Sequence, residues 1–144
     1  MSMQTILLAY DGSDMSKRAA AVAGELAGRM ASKVETVHVL ELPRPVLTVE
    51  TPVTVPPQLE SEFREAGKAI MEEGHRLVGS TADGGANLLQ GPPGAAIVSR
   101  AEQIGCDLIV IGHRGLSGFE RFFLGSVSEY VLRHAPCPVL VVKE

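Results

Sequence analysis

Two apolar runs, Thr5-Ile6-Leu7-Leu8-Ala9-Tyr10 and Asp107-Leu108-Ile109-Val110-Ile111, constrain this chain more than any other feature. Each is strand-length and continuous, without the polar alternation of a half-solvated sheet, so each reads as a strand buried on both faces. Each then breaks into turn residues, Asp11-Gly12-Ser13 after the first and Gly112-His113-Arg114-Gly115 after the second. A sheet covered on both faces needs helices on both sides, and the intervening sequence supplies them. From Asp14 to Met30, apolar residues recur at helical spacing (Ala19, Val22, Ala23, Leu26, Ala27, Met30). Lys33 to Leu40 reads as a second strand, Leu59 to Val78 as a second helix and Ala86 to Gln90 as a short strand. Gly91-Pro92-Pro93-Gly94 launches a helix over Ala95 to Ile104, Val127 to His134 is the last helix, begun at Gly125 or Ser126, and Pro138 to Val142 is the last strand.

Five strands alternating with four helices predict right-handed crossovers and a mainly parallel, doubly wound α/β sheet of the Rossmann-like kind. At 144 residues the chain reads as one domain over 1–144, long enough to bury roughly 68–70% of its unfolded surface. An apolar content of 45% with only 4% aromatic residues makes that core one of Ala, Val, Leu and Ile. The stretch Glu41 to Pro57, with prolines at 43, 45, 52, 56 and 57, reads as an extended loop, because proline excludes a regular central strand or helix.

In open sheets of this kind, ligands bind beyond the carboxyl ends of the strands. Asp11, the end of the second strand and Gly112 all fall there. Gly125-Ser126-Val127-Ser128 opens the last helix, where free N–H groups and the helix dipole favour an anion. Ser126 and Ser128 equally suit helix capping, which uses the same geometry. Arg114 and Arg121 stand in the region between the glycines and are candidates to neutralise phosphate. The chain contains no GxxxxGK[ST], no GxGxxG after the first strand and no GxSxG, which disfavours a P-loop enzyme, a dinucleotide redox enzyme and a serine hydrolase. His38, His75 and His134 have no metal-ligand spacing among themselves or with the cysteines.

With these residues in view, the chain resembles the universal stress protein family. The resemblance covers nearly the whole length through ILLAYDGSDMSKRA, VHVLE, DLIVIGHRG and LGSVSEYVLRHAPCPVLVV. The family's ATP-binding signature is Gly, two residues, Gly, nine residues, Gly, then Ser or Thr, and Gly112, Gly115, Gly125 and Ser126 match it without a gap. The resemblance implies strand order 3-2-1-4-5, a homodimer and an ATP site. In that site Asp11 lies beside the nucleotide, Val39 meets adenine through its backbone, Gly112 and Gly115 border ribose and phosphate, and Gly125, Ser126, Val127 and Ser128 hold phosphates. The strand ends Ala9, Tyr10 and Ile111, together with Arg114, complete the candidate set. Asp11 is also the candidate for Mg2+ arriving with ATP, although one carboxylate builds a magnesium site only with water and phosphate oxygens.

The expected function is therefore an ATP-binding regulatory or stress-response protein with at most slow hydrolysis. An ATP-hydrolysing or adenylyl-transfer enzyme on the same fold and a nucleotide-free interaction module are the alternatives. A net charge of −4 without a basic stripe argues against nucleic acid, and no eighteen-residue apolar run exists for a membrane. Cys106 and Cys137 read as reduced and cytoplasmic. The apolar last strand, if terminal in the sheet, would be an exposed edge that pairing with a second copy would bury.

Overall fold

The computed structural model describes residues 3–42, 46–47, 52–53, 55–113 and 124–143. Its main sheet contains β1 (Thr5–Ala9), β2 (Lys33–Leu40), β5 (Ala86–Gln90), β6 (Leu108–Gly112) and β7 (Val139–Val142). Between β2 and β5 lie two two-residue strands, β3 (Val46–Leu47) and β4 (Pro52–Val53). The helices are α1 (Asp14–Met30), α2 (Pro57–Val78), α3 (Pro93–Ile104) and α4 (Ser126–His134), with a 3-10 segment over Gly79–Gly84.

The main sheet runs β5-β2-β1-β6-β7, and all four of its pairings are parallel. Numbered by their place in the chain, those five strands stand in the order 3-2-1-4-5. Alternation along β1 sends Ile6 and Leu8 to one face, where Ala19, Ala20, Ala23 and Ala27 of α1 and Val78 of α2 cover them. Leu7 and Ala9 point to the other face, against Ile97, Val98 and Ala101 of α3 and Val131 of α4. The alanine stripe is why α1 can lie close to the sheet. Gly24 is closer still, since a Cβ there would come within 2.7 Å of the Val78 carbonyl oxygen.

Two helix starts differ from expectation. α2 begins at Pro57 and α3 at Pro93, each two residues before the predicted start. In both, proline occupies the first turn, where its fixed φ suits a helix and its missing N–H costs no bond. The stretch expected to be a featureless extended loop carries the antiparallel β3–β4 pair, with Val46 opposite Val53 and Leu47 opposite Pro52. Proline is tolerated there because this two-stranded ribbon consists only of edges.

The buried polar groups are organised around the sheet. Glu35 of β2 is 4% exposed and accepts from Asn87 Nδ2 at 2.7 Å and from Arg100 Nη2 at 2.6 Å and Nε at 3.1 Å. The planar guanidinium fork is what lets one residue satisfy both carboxylate oxygens. At the opposite end from the glycine turns, Asp107 accepts from the backbone N–H groups of Gln4 (2.8 Å) and Thr5 (3.0 Å), fastening the start of β1 to the start of β6. Those two bonds, Thr5 foremost, hold its carboxyl below the usual carboxylate range. Among the described residues, no helix is long and apolar enough to cross a membrane.

Candidate functional site

A pocket of about 700 Å³ opens at the carboxyl ends of β1, β2 and β6. Ala9, Tyr10, Asp11, Val39, Ile111 and Gly112 line it from the strand ends, and Gly125, Ser126, Val127 and Ser128 line it from the start of α4. These sequence-predicted residues, drawn from four separate stretches of chain, therefore share one cavity. Arg114 and Gly115, and with them Arg121, lie outside the described residues.

The β1 turn is held by its own side chains. Asp11 Oδ1 accepts from the Ser13 N–H at 2.9 Å, and among the described residues the second carboxylate oxygen has no hydrogen-bond partner. Ser13 caps α1 by accepting from the Ser16 N–H at 3.2 Å, while Ser16 Oγ donates to the Ser13 carbonyl at 2.9 Å. Gly12 makes the turn possible at φ +83°, a backbone state that a side chain would strain. Gly112 is required for a different reason. A Cβ there would stand 2.8 Å from Met15 Cβ, so the end of β6 and the first turn of α1 touch through the missing side chain.

The start of α4 is an open anion cradle. Its N-cap is Gly125, which has no side chain to occupy the first-turn donors. Helical bonding begins only at Glu129, whose N–H reaches the Gly125 carbonyl at 2.9 Å. The N–H groups of Ser126, Val127 and Ser128 thus have no partner within the helix. Gly125 is itself positioned by donating its N–H to the His113 carbonyl at 2.9 Å, and His113 donates to Val142 at 2.8 Å. Among the described lining residues none is Lys or Arg, so the backbone donors and the helix dipole are the positive features of this wall.

Two predicted residues serve differently from expectation. Ser128 is 3% exposed and donates its hydroxyl to the Gly112 carbonyl at 2.7 Å. Its proton is spent tying α4 to β6, and only its backbone N–H is left for a phosphate. The Tyr10 ring is buried in the core, where its hydroxyl donates to Glu73 of α2, and burial followed by that bond pushes its pKa well above the usual phenol range. Tyr10 bears on the pocket instead through its carbonyl, which contacts His38 Nδ1 at 2.8 Å. A carbonyl only accepts, so Nδ1 carries a proton and donates it to Tyr10.

One wall escaped the sequence reading. Phe63, Ala66, Gly67 and Ile70 of α2 line the pocket at i, i+3, i+4 and i+7. Their spacing signals a helix face, but nothing in it separates a pocket wall from core. Gly67 brings the helix close, since a Cβ there would stand 3.1 Å from Leu40 Cδ1. As for metal, no group of three His, Cys, Asp or Glu residues able to hold an ion occurs among the described residues. Asp11 offers a single carboxylate, which suits a cation only if phosphate oxygens and water complete its shell.

This arrangement can hold a flat, partly apolar ring against the strand ends, accept a hydroxyl proton at Asp11 and bind an anion at α4. The family model for universal stress proteins matches residues 3–143. The chain belongs to the universal stress protein family. A universal stress protein of Thermus aquaticus is 42% identical over 148 aligned residues, covering 97% of this chain and 98% of the relative. Among solved structures, a universal stress protein in complex with cAMP superposes with a TM-score of 0.70 at 28% identity, covering 99% of this chain and 98% of the other. The Archaeoglobus fulgidus universal stress protein in complex with dAMP has a TM-score of 0.66 at 26% identity, covering 99% and 100%. The five-stranded order and its covering helices are thus those of the family's solved members.

Proposed function

We propose that this universal stress protein binds an adenine nucleotide, with ATP as its physiological ligand, and uses it to bias conformation or partner binding more than to drive chemistry. The observation that carries the reading is the convergence in one pocket of Asp11, Val39 and the uncapped N–H groups of Ser126, Val127 and Ser128. Asp11 accepts from a ribose hydroxyl, the Val39 backbone meets the adenine edge, and the Gly112 backbone borders the ribose. The α4 amides and the Ser126 hydroxyl take phosphate oxygens, with Gly115 and Arg114 completing the phosphate side. Relatives crystallised with cAMP and dAMP support an adenine ligand. Mg2+ enters only with the triphosphate, Asp11 being the carboxylate able to face it.

The sequence carries no P-loop lysine, and Asp11, Arg114 and the serine hydroxyls are few groups with which to stabilise phosphoryl transfer, so turnover is slow. One domain carries the whole site. The protein works as a homodimer through β7, which among the described residues pairs only with β6 and whose Val139-Leu140-Val141-Val142 side chains are half-buried. Two free thiols fit a cytoplasmic location.

The test is to denature freshly purified protein, identify any released nucleotide, add ATP to stripped protein and follow its γ-phosphate over hours. ATP bound and released intact is the expected result. Rapid multiple turnover assigns an enzyme instead, and neither retention nor measurable affinity assigns a nucleotide-free interaction module.

A further inference from the structure

The end of the sheet away from the pocket holds two thiols in contact. Cys106, 6% exposed, follows Gly105, the left-handed C-cap of α3, and precedes β6. Cys137 sits between Pro136 and Pro138 and precedes β7. Their Sγ atoms are 3.7 Å apart. The backbone around them is anchored: the Cys106 N–H reaches the Ala101 carbonyl at 3.3 Å, Asp107 reaches Thr5 at 2.9 Å, and Ile109 reaches Pro138 at 3.0 Å. The two sulfurs are thus already in contact, and a further approach of the side chains brings them to the roughly 2 Å bond of a disulfide.

We propose that Cys106 and Cys137 are an oxidation site, at which a peroxide closes an intramolecular disulfide joining the entries of β6 and β7. The pair is asymmetric. Burial pushes the Cys106 thiol up to about 12, with the neighbouring Cys137 adding to the effect. Burial raises Cys137 as well, and the Asp107 carboxylate adds to it, but there the Cys106 S–H acts in the opposite sense by donating to its thiolate. Cys137 is also the more exposed of the two. It is therefore the first to react, and Cys106 is the resolving thiol.

In the first step the Cys137 thiolate attacks the peroxide, forming an S–O bond and breaking O–O, and the alkoxide or hydroxide released takes up a proton. In the second, Cys106 loses its proton and attacks the Cys137 sulfur, forming S–S and expelling hydroxide, which leaves as water. Two thiols give up two electrons and two protons, and the peroxide is reduced to an alcohol and water, or to two waters when it is hydrogen peroxide. Both thiols are mainly protonated at neutral pH, so the reaction is slow at pH 7 and faster at pH 9. The bridge encloses Asp107–Pro136, a segment containing β6, Gly112 and all of α4. It thereby ties down the stretch that carries the phosphate side of the pocket, without depending on whether nucleotide binds there.

The experiment exposes reduced full-length protein to hydrogen peroxide at pH 7 and pH 9, quenches in acid, alkylates under denaturing conditions and measures intact mass. The expected product has lost two hydrogens, resists alkylation, yields a Cys106–Cys137 linked peptide, forms faster at pH 9 and melts roughly 5–10 °C higher than the reduced form. Cys106→Ser should stop at a Cys137 sulfenic acid that dimedone traps, whereas Cys137→Ser should stay reduced over the same exposure. Two thiols that remain alkylatable at both pH values, a disulfide found only between molecules, or Cys106 oxidising as fast in Cys137→Ser as Cys137 does in Cys106→Ser would each overturn the proposal.

Discussion

Ser126 and Ser128 are two residues apart in one motif, and the structure gives them opposite duties. Ser128 is 3% exposed and donates at 2.7 Å to the carbonyl of Gly112, itself buried at the end of β6. Replacing Ser128 with alanine removes that donor and leaves a buried carbonyl short of a partner, a loss of about 1–3 kcal/mol. At about 3 °C per kcal/mol for a domain of this size, the melting temperature should fall by about 3–9 °C. Ser126 is exposed and makes no capping bond, so Ser126→Ala should leave stability within about 0.5 kcal/mol of the parent. Its cost should appear on ligand addition. A hydroxyl bond to a charged phosphate contributes about 1.5–3 kcal/mol, which is roughly 10-fold to 100-fold in Kd. Calorimetric melting of the nucleotide-free variants, followed by isothermal titration with ATP, separates the two effects. A Ser128→Ala protein with an unchanged melting temperature but lost ATP affinity would refute the reasoning, as would a Ser126→Ala protein that melts early and binds ATP normally.

Three further outcomes are expected. Arg100→Leu should cost about 3 kcal/mol in urea denaturation, because it strands the buried Glu35 carboxylate with Asn87 alone, and Glu35→Leu/Arg100→Leu should recover most of that loss. The depressed carboxyl of Asp107 should contribute stability that is full above its unfolded value of about 3.9 and disappears as pH falls through the lower folded value. The melting difference between the parent and Asp107→Ala should therefore shrink below about pH 4, as followed by circular dichroism between pH 2 and pH 6. Val141→Pro, which removes a donor from β7, should leave monomer or aggregate in sedimentation velocity, and a dimer of unchanged affinity would contradict pairing through that edge.

Strand and helix placement was legible because burial on both faces writes itself into composition. β1, β6 and the alanine stripe of α1 have few other uses for such residues, and the bounds of α1, β2 and β5 coincide with those expected. The proline starts of α2 and α3 were harder, since proline reads as a breaker until its place in the first turn is known. Gly112, Gly125 and Asp11 were legible as residues that would meet at the strand ends, where they line the pocket, because turn chemistry is local. The direction of the Ser128 hydroxyl, the inward Tyr10 ring and the Glu35–Arg100 pair were not, since each depends on a partner 16 to 65 residues away. The Phe63–Ile70 wall was read as a helix but not as part of the site, for the same reason.

The central claim is that ATP occupies the pocket between the strand ends and α4. Its most direct test is a titration of 15N-labelled, nucleotide-stripped protein with ATP, read amide by amide. The account predicts saturable shifts at Asp11, Val39, Leu40, Ser126, Val127 and Ser128, while amides at the opposite end of the sheet, around Asp107 and Cys137, stay in place. No shifts at saturating ATP, or shifts centred on that opposite end, would contradict it.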